Sequence, residues 1–239
     1  MIMDYEFKIV SGQLILLPKA LSDQLKQDVL NTQLYAQLYA SVRANKFSDA
    51  GVWDKRLTSA RSELKWSTHF SLGRRPELAN EAKINVTSLI MDQLAHAPHY
   101  DPSVMEDAIR RGLNALSYYS PAQTVFFDSV LRVTKADSLL KTPLVSDVYL
   151  NVSVISPKAH MIDVQVGFSV HQLLDEHLFD QSLKGKNVIG AMSLSVSEYE
   201  LDASAFSRIR DRVVDGLDGA DATQIVNLEL TPEIVITAP

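Results

Sequence analysis

The chain of 239 residues contains no cysteine, which excludes disulfides, thiolate nucleophiles and cysteine zinc sites outright. No apolar run approaches the roughly 18 residues that a membrane helix needs, and the mean hydropathy is -0.01. No membrane partner is expected on sequence grounds. A basic stripe is missing as well. Lys and Arg number 23 against 29 Asp and Glu, for a net charge of -6, so no nucleic-acid partner is expected. Arg74-Arg75 and Arg110-Arg111 read as solvated ends of elements. The opening MIMDYEFKIV has no basic segment followed by an apolar one. It predicts no secretory signal, and the expected location is the cytoplasm.

Catalytic signatures are missing too. The nearest approach to a serine elbow, GAMSLS from Gly190, lacks the second glycine and lies inside a strand pattern. There is no Walker lysine loop, and GLDGAD lacks the spacing of a dinucleotide loop. No catalytic residue and no cofactor is implied.

What is present is a change of grammar along the chain. YEFKIVSGQLILLP reads as two strands joined by a Ser11-Gly12 turn and stopped by Pro18. Ser22 is placed to cap a helix whose Leu30, Leu34, Leu38 and Val42 recur every four residues. Trp53, Leu57, Ala60 and Leu64 make the apolar stripe of a second helix, with Ser48 or Asp49 as its cap. Trp66, Thr68, Phe70 and Leu72 alternate as in a strand. Helices are predicted near Ile84 to Leu94 and after Asp101 or Ser103, whereas TVFFDSVLRV suits either a strand or a helix.

Beyond KADSLLKTP the period becomes two. Val148, Leu150, Val152 and Val154 share one side of a strand, Ile162 to Val170 one side of its return, and Met192, Leu194 and Val196 one side of a third. A late helix carries Phe206, Ile209, Val213 and Leu217, TQIVNLEL supplies a last strand, and the tail TPEIVITAP can pair on an edge. The fold expected is α+β: an N-terminal mainly helical portion, residues 1–135, packed on one face of a C-terminal antiparallel sheet with one late helix, residues 136–239. The whole is expected to be one continuous domain.

The order and spacing of LNTQLYAQLYASVRANKF, VWDKRLTSARSELKWS, LNALSYYSPAQTVFFDS and LDASAFSRIRDRVVDGL resembles a group of microbial proteins of similar length. Its members share a Trp-led helix ending in Leu-x-Trp and a late Tyr/Phe-x-x-x-Arg helix. Trp53, Leu64, Trp66, Phe206 and Arg210 stand at those landmarks, with Phe206 where Tyr is commoner and Lys65 where Gly is. The resemblance implies one continuous domain and carries over no catalytic residue.

Several constellations invite a chemical reading. His96, His99 and Asp101 lie close enough in DQLAHAPHYD to suggest a metal-dependent hydrolase, although Pro98 interrupts the helix and no His-Glu-x-x-His signature is present. His171 and Asp175 pair if their segment is helical, and Asp215, Asp218 and Asp221 hint at a Ca²⁺ loop without its terminal glutamate. Each also has a plain reading as a helix end or turn.

The polar side of the C-terminal strands is the most informative feature. It offers Asn151, Ser153, Gln165, Ser169, Ser193, Ser195 and Ser197, with Asp163 as the one charge. A sheet face bathed in water ordinarily scatters Lys and Glu. Hydroxyls and amides suit a covered face, because they satisfy one another without the desolvation cost of buried ions. The leading expectation is a non-enzymatic protein that assembles with itself, as a homo-oligomer, or with a protein partner through this face. Tyr118 and Tyr119, beside a Ser-Pro turn, are added as surface contacts. The alternative is a β-hairpin pore former of toxin-like type, because strands that alternate polar and apolar residues can line a lumen and face lipid.

Overall fold

A computed structural model describes residues 4–135 and 143–230. Most of KADSLLKTP and all of the tail TPEIVITAP fall outside the described residues, so the edge pairing expected of that tail does too.

The hairpin β1 (Tyr5–Val10) and β2 (Gln13–Pro18) opens the chain, with Ser11 at φ 52° in its turn. Helix α1 (Asp23–Ser41) follows, and the Ser22 hydroxyl accepts the Leu25 N–H at 3.4 Å as its cap. Next come α2 (Ala50–Glu63) and β3 (Trp66–Arg74). The short β4 (Lys83–Asn85) runs into α3 (Val86–Leu94), where Asn85 caps by accepting from Ser88. Asp101 caps α4 (Pro102–Ala115), and Ser120 caps α5 (Pro121–Val130); in both, proline takes a first-turn position, where no N–H partner is missed. The ambiguous TVFFDSVLRV resolves as both structures, the end of α5 and then β5 (Leu131–Thr134). Long strands β6 (Val145–Ile155) and β7 (His160–Val170) form the central hairpin. The chain closes with β8 (Ser182–Lys184), β9 (Ser193–Leu201), α6 (Ala203–Ser207), α7 (Arg210–Leu217), α8 (Asp221–Gln224) and β10 (Ile225–Asn227). The predicted late helix is thus split at Ile209, and Asp218 ends α7 in the left-handed conformation.

One mixed, mostly antiparallel sheet runs β10-β1-β2-β6-β7-β9-β3, with β5 also pairing β6. The α+β class is therefore as expected. Two details differ. The N-terminal hairpin is part of the sheet itself, because β2 pairs β6 in parallel, Gln13 opposite Asn151 and Leu16 opposite Val154. Helices also cover both faces instead of one. Val148, Leu150, Val152, Val154 and the matching positions of β7 and β9 pack under α3, α4 and α5, around Ile90, Ile109 and Phe126. On the other face α1, α2, α6 and α7 bring Leu34, Trp53, Phe206 and Val213 against Ile15, Tyr149, Met161 and Tyr199. The physical reason lies in β2, where all six residues are buried: a strand shielded on both faces reads as a continuous apolar run, and QLILLP is one.

Candidate functional site

The polar face of β6, β7 and β9 lies under the α1–α2 layer. Strand geometry puts alternate residues on it: Asp147, Tyr149, Asn151 and Ser153 from β6; Asp163, Gln165, Gly167 and Ser169 from β7; Ser193, Ser195 and Ser197 from β9. Register brings them side by side, Asn151 opposite Gln165, Ser153 opposite Asp163, and Asp163 opposite Ser197. On β3, Ser71 continues the row, its hydroxyl 2.9 Å from that of Ser197.

Asn151, Ser153, Asp163, Gln165 and Ser197 are buried, whereas Ser169, Ser193 and Ser195 are half-buried. The expected cover exists, and over β6 and β7 it is the chain's own helices. In this conformation Asn151, Ser153 and Asp163 do not present themselves to a docking partner. A second charge also lies on this face. Asp147 Oδ1 accepts from the Ser169 hydroxyl at 2.6 Å, and Arg132 donates to Asp147 Oδ2 at 2.8 Å.

A polar network joins the helices to the strands. Arg61, on α2, donates to Asp163 Oδ2 at 2.8 Å and to Gln33 Oε1 at 3.0 Å. Asn151 Nδ2 donates to the same carboxylate at 3.2 Å, and Gln13 Nε2 to the Ser153 hydroxyl at 2.6 Å. Gln37 Nε2, from α1, reaches Gln13 Oε1 at 3.1 Å. Burial pulls the Arg61 guanidinium towards neutrality, but the Asp163 carboxylate outweighs it and keeps the pKa above the ordinary value. The Tyr149 hydroxyl donates to Asp54 of α2, and burial raises the Asp54 carboxyl above the usual range against the hydrogen bonds from Tyr149 and Gln165. Sequence reasoning found the strand half of this network. It missed Gln13, Arg61, Gln33, Gln37 and Asp54; for the two α1 glutamines the signal was a helix rich in polar residues that are buried, Asp28, Asn31, Thr32, Gln33 and Gln37, and for Arg61 and Asp54 of α2 there was none.

The other candidates separate. His96 contacts the Arg74 guanidinium and Asp101 caps α4, so the proposed His96–His99–Asp101 group is not assembled. The intervening turn sends His99 elsewhere, to Glu198 on β9, with Nδ1 2.8 Å from Oε2. Among the described residues, the one His, Asp and Glu group with ligand atoms close enough for a metal ion is His99, His160 and Glu198; Asp215, Asp218 and Asp221 do not form one. His171 and Asp175 do not pair either, because their segment is not helical. His171 Nδ1 faces the Leu144 carbonyl at 3.1 Å, and Asp175 accepts from the His177 N–H and the Gln181 side chain, both at 2.9 Å. Tyr118 and Tyr119, in the α4–α5 connection, are exposed, Tyr119 at 91%. Among the described residues no helix is long and apolar enough to cross a membrane.

No family model matches the chain, and no curated protein does. Among solved structures, the chain is similar to an activated Cyt2Ba monomer from Bacillus thuringiensis subsp. israelensis, at 10% identity over 80% of this chain and 98% of that one, with a TM-score of 0.43. It is also similar to a delta-endotoxin, at 7% identity over 80% of each chain and a TM-score of 0.43. A third likeness is to the Evf virulence factor, at 10% identity over 89% of this chain and 84% of that one, with a TM-score of 0.40.

Proposed function

We propose that this protein acts on membranes, its β6–β7 hairpin and β9 leaving the helical layers to form part of an oligomeric β-barrel pore. One observation carries the reading: over most of their length these strands divide into a polar side and an apolar side, with His160, Glu198 and Glu200 interrupting the apolar side at one end. β6 and β7 are 11 residues each and β9 is nine, and a tilted strand crosses a bilayer in about 9–11 residues. Val148, Leu150, Val152 and Val154, then Ile162, Val164, Val166, Phe168 and Val170, then Leu194 and Val196 form the side suited to lipid. Asn151, Ser153, Gln165, Ser169 and the β9 serines form the side suited to a lumen.

The helical cover is built to part from the polar side at reduced cost. Gln33, Gln37, Arg61 and Asp54 meet the strands through hydrogen bonds, and water can replace these when the layers separate. Every backbone group of an inserted strand must find a partner, which a closed barrel provides and an open sheet does not. Assembly of several copies follows from that demand, and the outer edge of β3, at the end of the sheet, offers a strand for another copy to pair with. Tyr118 and Tyr119 suit first contact, since exposed tyrosines favour the headgroup region.

Vesicles loaded with a self-quenched dye test the proposal. The protein should release the dye in proportion to dose, and a small dye before a large dextran. Vesicles that stay sealed at every dose, with the protein still monomeric by light scattering, would contradict it.

A further inference from the structure

Glu198 is a buried carboxylate, 1% exposed, carried by β9 on the side of the sheet opposite the polar network. Among the described residues, no Lys or Arg forms an ion pair with it; its ion-pair partners are the imidazoles of His99 and His160. Its Oε2 lies 2.8 Å from His99 Nδ1 and 3.5 Å from His160 Nε2, and its Oε1 accepts the His99 backbone N–H at 2.8 Å. A buried carboxylate is costly unless a positive charge answers it, and a metal ion held by the same three side chains would be such a charge.

We propose that His99, His160 and Glu198 form a binding site for a divalent metal ion of the zinc type. Two imidazoles and one carboxylate are a ligand set that zinc favours over magnesium or calcium, which prefer oxygen alone. The three ligand atoms lie within 4.8 Å of one another. Around a tetrahedral ion with bonds of about 2.0–2.1 Å, ligand atoms stand roughly 3.3 Å apart. The His160–Glu198 spacing already has that value within a few tenths of an ångström. His99 has to withdraw by about half an ångström, and it can, because it is exposed and sits on the α3–α4 connection, not inside a packed element.

The fourth position faces a cleft of about 410 Å³ that His69, Lys158 and Glu200 also line. In the same cleft, His69 Nε2 is 3.1 Å from Glu200 Oε2. The ligands come from β7, β9 and the α3–α4 connection, so a bound ion fastens that connection to the sheet. The ion would therefore hold β7 and β9 in the folded arrangement that precedes any insertion, and its uptake is read in the free protein, without vesicles.

The test is calorimetric titration of zinc chloride into protein stripped of metal by a chelator, with Co²⁺ absorption as a second readout. One equivalent should bind, Co²⁺ should give the intense visible bands of tetrahedral coordination, and zinc should raise the melting temperature. His99→Ala, at an exposed position that the fold tolerates, and His160→Ala should each weaken binding by about tenfold or more and abolish the thermal shift. His177→Ala, in a distant loop, should bind as the parent does. A parent protein that takes up no zinc would overturn the assignment. So would His99→Ala and His160→Ala proteins that bind it as tightly as the parent, since the metal would then lie elsewhere.

Discussion

Arg61 Nη1 lies 2.8 Å from Asp163 Oδ2, an ion pair made between a helix and the strand beneath it with both side chains buried. Asp163 also accepts from Ser153, Asn151 and, at 3.4 Å, Gln13, so one carboxylate gathers donors from α2, β6 and β2. Removing the guanidinium leaves that charge buried without an ion-pair partner. Arg61→Ala should cost about 3–5 kcal/mol in urea unfolding. A loss below about 1 kcal/mol would mean that water reaches the carboxylate and that the layer is looser than its hydrogen bonds suggest.

Trp53 and Phe206 anchor the same layer through apolar contacts. Both are buried; Trp53 meets the ring of Tyr149 edge-on, with centroids 5.4 Å apart, and its indole N–H donates to the Ser41 hydroxyl at 3.1 Å. Trp53→Ala and Phe206→Ala should each lower stability by about 3–5 kcal/mol. Thermal melting that hardly moves in either would show that these rings are not core.

Asp54 gives the layer a pH dependence. Burial raises its folded pKa, despite the Tyr149 and Gln165 hydrogen bonds, so the folded protein holds this proton more tightly than the unfolded chain does. That contribution to stability is complete below the unfolded carboxyl value of about 3.9 and is lost as pH rises through the folded one. Relative to Asp54→Asn, the parent should therefore gain melting temperature as pH falls from neutrality into the carboxylate range. Parallel melting curves for the two proteins across that interval would refute the assignment.

Much of the fold was legible in the sequence, for reasons visible in particular residues. The alternation from Val148 to Val170 fixed the central hairpin, and Ser22 and Asp101 marked helix starts that the structure confirms by side-chain caps. The second helical layer was harder to see. Its sheet-facing side carries Gln33 and Gln37, which a search for apolar stripes passes over. The polar strand face was expected to meet a partner or a second copy, whereas over β6 and β7 it meets the chain's own helices; composition cannot tell a cover supplied by the same chain from one supplied by another. His99 was singled out for the wrong partners: its true neighbours, His160 and Glu198, are 61 and 99 residues away in sequence, a separation that only the packing of the α3–α4 connection on β7 and β9 brings together.

Tyr118 and Tyr119 are exposed in the α4–α5 connection and their replacement by serine should leave folding within about 0.5 kcal/mol of the parent. Vesicle binding, read by flotation, should fall several-fold. Unchanged flotation would remove these side chains from the membrane account.

The absence of cysteine makes the central claim directly measurable, since any single cysteine introduced becomes the only thiol. Cysteines at Asn151, Val152, Ser153, Val164 and Gln165, in protein first bound to vesicles, would be challenged with a charged, water-soluble thiol reagent. Period-two reactivity is expected, with positions 151, 153 and 165 modified and 152 and 164 protected by lipid, while all five resist the reagent in the free protein. Five positions that stay unreactive in the presence of vesicles would mean that the helical layers never leave the sheet, and the pore account would be contradicted.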